Sequence, residues 1–202
     1  MARRSYDQYC AVARALDTVG DRWTLLVVRE LLAGPRRYTD LHADLPGVST
    51  DMLASRLKDL ERDGLLERRR LPAPASAQVY ELTAAGRSLL PVLTALAAWG
   101  ADALGEPRPT DAVRAHWFAV PLIGLLEREP GLPADFVLDV TLGAGRFHLV
   151  RAAGEFGFAE GAAAEPHARL SLADDDLVAL LQGRRPLAEL LTAAPSGDLL
   201  NR

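Results

Sequence analysis

Thr50, Asp51, Ala54, Ser55 and Lys58 fall on one edge of a single segment, with Arg56 at its flank, while Leu53, Leu57 and Leu60 fall on the opposite edge. That spacing predicts a helix with an apolar inner face and an outer edge of short polar and basic side chains. Such an edge suits the reading of base pairs in a DNA groove. Ser49, Thr50 and Ser55 are candidates for short polar contacts and Ala54 can meet a thymine methyl, while Arg56 and Lys58 suit guanine or phosphate. Asp51 favours the helix N-terminus and can accept from cytosine, but it repels a nearby phosphate. Arg36, Arg37, Arg68 and Arg70 add charge for the phosphate backbone. Arg69 must point to the other face of its strand, so the run Arg68-Arg69-Arg70 cannot all reach one duplex.

Residues for bond-breaking chemistry are missing from the pattern. His42, His116, His148 and His167 are scattered and match no metal spacing. No phosphate loop, nucleophile elbow or cofactor fingerprint stands in the chain, and Gly143-Ala144-Gly145 reads as a hairpin turn. The expectation is a non-enzyme without metal or cofactor. Cys10 is the one cysteine, which excludes an internal disulfide and a cysteine-based zinc site and points to the reducing cytoplasm.

The elements that position the outer edge follow from local signals. Ser5 and Gln8 have the form of a capping box ahead of a helix whose Tyr9, Val12, Leu16 and Val19 make one apolar stripe. Gly20-Asp21 breaks the chain, and a nearly all-apolar helix from Arg22 to Ala33 is expected at the centre of the domain. After Gly34-Pro35 comes a two-turn helix, Tyr38 to Leu45, then the tight connection Pro46-Gly47-Val48. Ser49 or Thr50 caps the longer helix to Asp63. Leu65 to Arg70 and Gln78 to Leu82 read as two strands of a hairpin around a proline-rich loop, and Thr83 to Leu104 as a long closing helix. Helix, turn, helix and hairpin make a winged helix-turn-helix.

Four segments carry a family resemblance: Cys10 to Leu16, Gly20 to Leu26, Gly34 to Leu41, and Leu45 to Ser49. In order and spacing they resemble the HxlR-type transcription regulators, relatives of the MarR group, over about Tyr9 to Gly100. Ala11 departs from the proline that often follows the cysteine there. The resemblance implies a dimeric, sequence-specific regulator on a double-stranded DNA operator. Homodimerisation through the first and last helices would set the two recognition helices about 34 Å apart. Some regulators of this type sense oxidants or electrophiles at the equivalent of Cys10, so a redox role is the alternative control. On the residues alone, a Ser5 cap leaves Cys10 beyond the first turn with Arg14 as its nearest cation, and a small buried hydrophobe is the plainer reading.

The segment Gly105 to Thr110 reads as a linker between residues 1–105 and a second domain, 111–202. There Asp111 to Glu129 is expected as an apolar helix strained near Pro121. Alternating strands around Phe136, Phe147, Phe156 and Leu170 follow, and two small helices start at Asp174 and Pro186. This pattern resembles the sterol-carrier-protein-like fold, which implies a sensor for a hydrophobic small molecule, with Trp117, Phe118, Phe136, Leu138, Phe147, Phe156 and Phe158 as candidate pocket residues. Each is equally at home in a core. A hydrophobic-ligand carrier with no DNA role is the competing reading. The fold class is therefore α+β: an N-terminal winged helix-turn-helix and a C-terminal α+β domain with an antiparallel meander sheet.

Composition sets the outer bounds. The 202 residues are 49% hydrophobic and 25% charged, the balance of a folded globular protein. No apolar run is long enough to span a membrane, and the start Met1 to Asp7 lacks the apolar stretch of an export signal. Formal net charge is −4, with the first 105 residues at +1 and the remainder at −5. A DNA contact therefore requires a local patch in the first half.

Overall fold

The computed structural model describes residues 5–105 and 108–193; residues 1–4, 106–107 and 194–202 lie outside the description, and with them part of the linker and the end of the expected second domain. The chain divides into two compact units at Leu89 and Leu90, ahead of the Gly105 to Thr110 segment.

The first unit contains α1 (Ala11–Val19), α2 (Thr24–Leu32), α3 (Tyr38–Asp44), α4 (Thr50–Arg62), the hairpin strands β1 (Leu66–Arg70) and β2 (Gln78–Leu82), and the short α5 (Ala84–Arg87). The apolar α2 is its hub, touching α3, α4, α5 and β2. Val27, Val28 and Leu31 of α2 are closed off from solvent together with Leu41, Leu45, Leu53, Leu57 and Leu60. Glu30, also fully buried, accepts two hydrogen bonds from Arg29, at 2.6 and 2.9 Å. A buried carboxylate requires such a partner.

Local chemistry fixes the ends of α4. Ser49 Oγ accepts from the Met52 N–H at 3.3 Å, satisfying a donor that the first turn leaves free. Gly64, at φ +71, reverses the chain so that Leu65 N–H returns to the Leu60 carbonyl at 2.9 Å. The chain then enters the hairpin, whose register runs from Leu66 opposite Leu82 to Arg70 opposite Gln78. Arg36 joins its outer edge through paired backbone bonds with Tyr80 at 3.0 and 2.8 Å. Gly86 is required by close approach, since a Cβ there would lie 2.0 Å from the Leu65 carbonyl oxygen.

Two helix expectations are corrected in this unit and at its boundary. Ser5 does not cap α1. Its hydroxyl donates to Asp17 at 3.2 Å, Asp7 takes φ +52, and the helix begins only after Cys10, which is the N-cap residue. The helix expected from Thr83 to Leu104 is broken at Ser88-Leu89. Pro91 provides no N–H and disfavours a helical residue before it, so α5 stops at Arg87 and α6 (Leu90–Gly100) starts anew with Pro91 in its first turn.

The second unit holds α6, α7 (Ala119–Leu126), β3 (Phe136–Leu142), β4 (Gly145–Ala152), β5 (Glu155–Glu160), β6 (Ala168–Leu172), α8 (Asp174–Leu181) and β7 (Leu191–Ala193). The helix expected from Asp111 starts only at Ala119, after a 3-10 turn over Ala115–Phe118. Pro121 thus falls in the first turn, where a missing N–H costs nothing. The helix expected from Pro186 is a 3-10 turn, Leu187–Glu189, leading into β7.

The five strands lie in the order β5-β4-β3-β6-β7. The first three form the expected antiparallel meander, but β6 joins β3 in parallel, so the sheet is mixed. A parallel neighbour needs a crossover, and residues 161–167 supply it. Gly161 N–H reaches the Arg146 carbonyl, Ala163 N–H reaches Asp139 Oδ1 at 3.3 Å, and His167 N–H reaches the Val137 carbonyl. Asp139, 2% exposed, also accepts two bonds from the Arg146 guanidinium, one of them at 3.1 Å. Arg146 beside it, then the Ala163 N–H, hold the Asp139 carboxyl below the usual carboxylate range against the opposing effect of burial.

Candidate nucleic-acid interface

The outer edge of α4 stands where the spacing placed it. Thr50, Asp51, Ala54, Ser55 and Lys58 are exposed, and Leu53, Leu57 and Leu60 are buried beneath them. Met52 is exposed as well, at 43%, and adds an apolar tip beside Asp51 in the first turn. It stands three residues after the Ser49 cap, and its side chain carries no polar signal in the sequence.

Two tethers hold this helix. The Tyr38 hydroxyl at the start of α3 donates to the Thr50 carbonyl at 2.9 Å, and the Tyr38 ring stacks on His42 at 6.3 Å. Arg56 forms an ion pair with Asp21, in the turn before α2, and another with Asp59 at 2.8 Å. Neither Tyr38 nor Asp21 stood out in the sequence, since their partners lie 12 and 35 residues away.

The arginines sort by their partners. Arg36 is largely enclosed and pairs with Asp44 at 3.8 Å. Arg68 donates to Glu61 of α4 at 2.8 Å, which pins β1 to that helix and raises the guanidinium pKa further. Arg69 donates to Glu81 across the hairpin at 2.8 Å. Arg37, Lys58 and Arg70 are exposed and make no side-chain ion pair among the described residues. Arg37 is held by its backbone, its N–H donating to Asp40 at 3.3 Å and its carbonyl accepting from the Leu41 N–H at 3.1 Å. Ser49 is occupied by its capping bond. The proline-rich hairpin tip, residues 71–77, carries no charge.

Residues 18–107 match the HxlR-like helix-turn-helix family. An HTH-type transcriptional regulator of Mycobacterium tuberculosis is 39% identical over 107 residues, which span 52% of this chain and 67% of that one. The chain belongs to the HxlR-like helix-turn-helix family. The transcriptional regulator YodB of Bacillus subtilis, 38% identical over 96 residues, shares 48% of this HxlR-like chain and 85% of its own. The crystal structure of quinone-bound YodB covers 46% of this chain and 97% of YodB at 33% identity, with a TM-score of 0.40. The HxlR-like match ends near residue 107, so most of the second unit is an addition to it.

Two further sites from the sequence reading have defined places. Cys10 is exposed at the N-cap of α1, not inside the helix, and Arg14 pairs with Asp17 at 3.7 Å. In the second unit Leu138 and Phe147 are wholly buried in the sheet core, with Phe158 7% exposed. Trp117, Phe118 and Phe156 are half-buried, and the Arg151 guanidinium lies 5.3 Å from the Phe156 ring. Among these seven, Phe136 alone lines the recess of about 100 Å³ formed with Leu126, Leu132, Leu191 and Glu129. The other six do not line that recess. No helix among the described residues is long and apolar enough to cross a membrane.

Proposed function

We propose that this HxlR-like regulator binds a pseudo-palindromic DNA operator as a homodimer, with α4 of each protomer in the major groove. The observation that carries this reading is the exposed edge Thr50, Asp51, Ser55 and Lys58 over a fully buried leucine face. Arg37 and Arg70 are the backbone contacts, since their charges are not spent on a neighbour, whereas Arg36 and Arg68 are spent on Asp44 and Glu61. Uncovered apolar side chains support the dimer: Val12 and Leu16 on α1 with Tyr9 just ahead of it, and Val92, Leu96 and Trp99 on α6. Exposed apolar side chains in such rows are the mark of a protein interface. Selection of duplexes from a random pool, followed by footprinting, tests the reading. A two-part footprint with half-sites one helical turn apart supports it, and failure to enrich any sequence refutes it.

Control by a hydrophobic small molecule in the second unit is part of the same proposal. It rests on the resemblance of the sequence to the sterol-carrier-protein-like fold, of which the helix and the β3-β4-β5 meander are present, and on the apolar recess beside Phe136. An effector acts only by binding one arrangement of the DNA heads better than another. Repeating the footprint with small-molecule extracts tests it. A second mode of control is favoured by Cys10, an exposed thiol on α1; oxidation would join it to the same residue of the partner protomer or to a small thiol. Unchanged operator affinity after peroxide treatment of the intact chain would eliminate this mode.

A further inference from the structure

Arg56 is, with Lys58, one of the two basic residues of α4 that the sequence assigns to guanine or phosphate, and its surroundings give it a different task. Its side chain is 17% exposed. One terminal nitrogen is on Asp21 and the other on Asp59. Its Nε is buried and meets no acceptor among the described residues. Both terminal nitrogens of the guanidinium are thus engaged on carboxylates, and one of them also lies 3.5 Å from Ser55 Oγ. Its charge is turned onto Asp21 and onto Asp59, which Arg62 shares at 2.7 Å, and away from a phosphate.

The two carboxylates belong to different elements. Asp59 lies one turn along α4, but Asp21 sits in the turn between α1 and α2 and is 63% exposed. The planar fork of an arginine can hold both at once in a fixed geometry, which a lysine cannot. Tyr38 grips the start of the same helix through the Thr50 carbonyl. With α4 anchored at its first turn by Tyr38 and near its middle by Asp21, rotation of the helix about its own axis is restrained at two points.

We infer that Arg56 is a positioning residue that sets the docking angle of α4 through Asp21, and that Asp21 thereby determines operator specificity without touching DNA. The inference rests on the DNA-binding reading above. A rotation of a few degrees moves Thr50, Ser55 and Lys58 together off their base edges, which costs specific binding. The phosphate contacts of Arg37 and Arg70 lie on other elements and remain.

The test uses the full chain, an operator selected by the wild-type protein and a random duplex of equal length. Asp21→Asn, Arg56→Gln and the double variant are compared over a range of salt concentrations. Each single variant is expected to lose about tenfold in the ratio of operator to random-duplex affinity, the scale of one mismatched base pair. The slope of log K against log salt should stay at the wild-type value, and the double variant should be no worse than either single one. Arg70→Gln is the contrast, expected to reduce the slope by about 0.9 per protomer. A slope reduced by that amount in Arg56→Gln, or tighter operator binding by Asp21→Asn, overturns the inference and makes Arg56 a phosphate contact. Should Arg56→Gln fail to fold, the exposed position of Asp21 keeps the Asp21→Asn arm decisive. If the wild-type chain selects no duplex, the regulator reading itself falls and takes this inference with it.

Discussion

The Tyr38 hydroxyl donates to the Thr50 carbonyl oxygen at 2.9 Å, linking the first residue of α3 to the first residue of α4. This bond crosses the turn of the helix-turn-helix and fixes how far the second helix stands off the first. Tyr38→Phe removes one oxygen and keeps the ring on His42. The variant is expected to lose about 1 kcal/mol of stability, the net worth of one such hydrogen bond. A urea midpoint unchanged from wild type would show that the bond contributes nothing.

Operator binding should depend steeply on salt. The two proposed backbone contacts, Arg37 and Arg70, are exposed and make no side-chain ion pair among the described residues; they give four cations in a dimer and a slope of about −4 for log K against log salt. Titrations between low and moderate salt measure it directly. A slope of about −7 would mean that Arg36 and Arg68 leave their carboxylates on binding.

Trp99 is 82% exposed on α6, in one row with Val92 and Leu96. Trp99→Glu places a charge in that row and is expected to give a monomer by light scattering, of 21.8 kDa, together with loss of the two-part footprint. A Trp99→Glu protein that remains dimeric would exclude this face.

Asp139 ties the crossover of the second unit to its sheet. Its carboxyl titrates below the ordinary value in the folded chain, so its contribution is fully present above about pH 4 and is lost as pH falls through the depressed folded value. Asp139→Asn keeps an acceptor for Ala163 but gives up the charge on Arg146. The change is expected to cost about 2 kcal/mol at neutral pH and to flatten the acid limb of the stability curve. Urea unfolding at pH 7 and pH 3 measures both effects.

Much of the DNA-reading half was legible in the sequence because its signals are local. Ser49 and Gly64 bracket α4, leucines at helical spacing turn its face inward, and the proline-rich loop separates the two wing strands. What escaped depends on partners far along the chain. Whether Arg68 or Arg56 is available to DNA is decided by Glu61 and Asp21, which no local pattern announces. Pro91 was a readable signal and was overridden by the apolar run around it. The parallel seat of β6 beside β3 is a consequence of the crossover, and alternation alone is the same for parallel and antiparallel neighbours. The phenylalanines of the second unit read as pocket candidates because cavity linings and cores use the same residue types.

Lys58 is the chain's single lysine, and it stands exposed on the outer edge of α4. The protein therefore has one side-chain primary amine, placed at its recognition surface. An acylating reagent would modify that amine and no other side-chain amine, so mass spectrometry of the intact chain becomes a meter of groove occupancy, with shielding from the reagent rising as duplex is added.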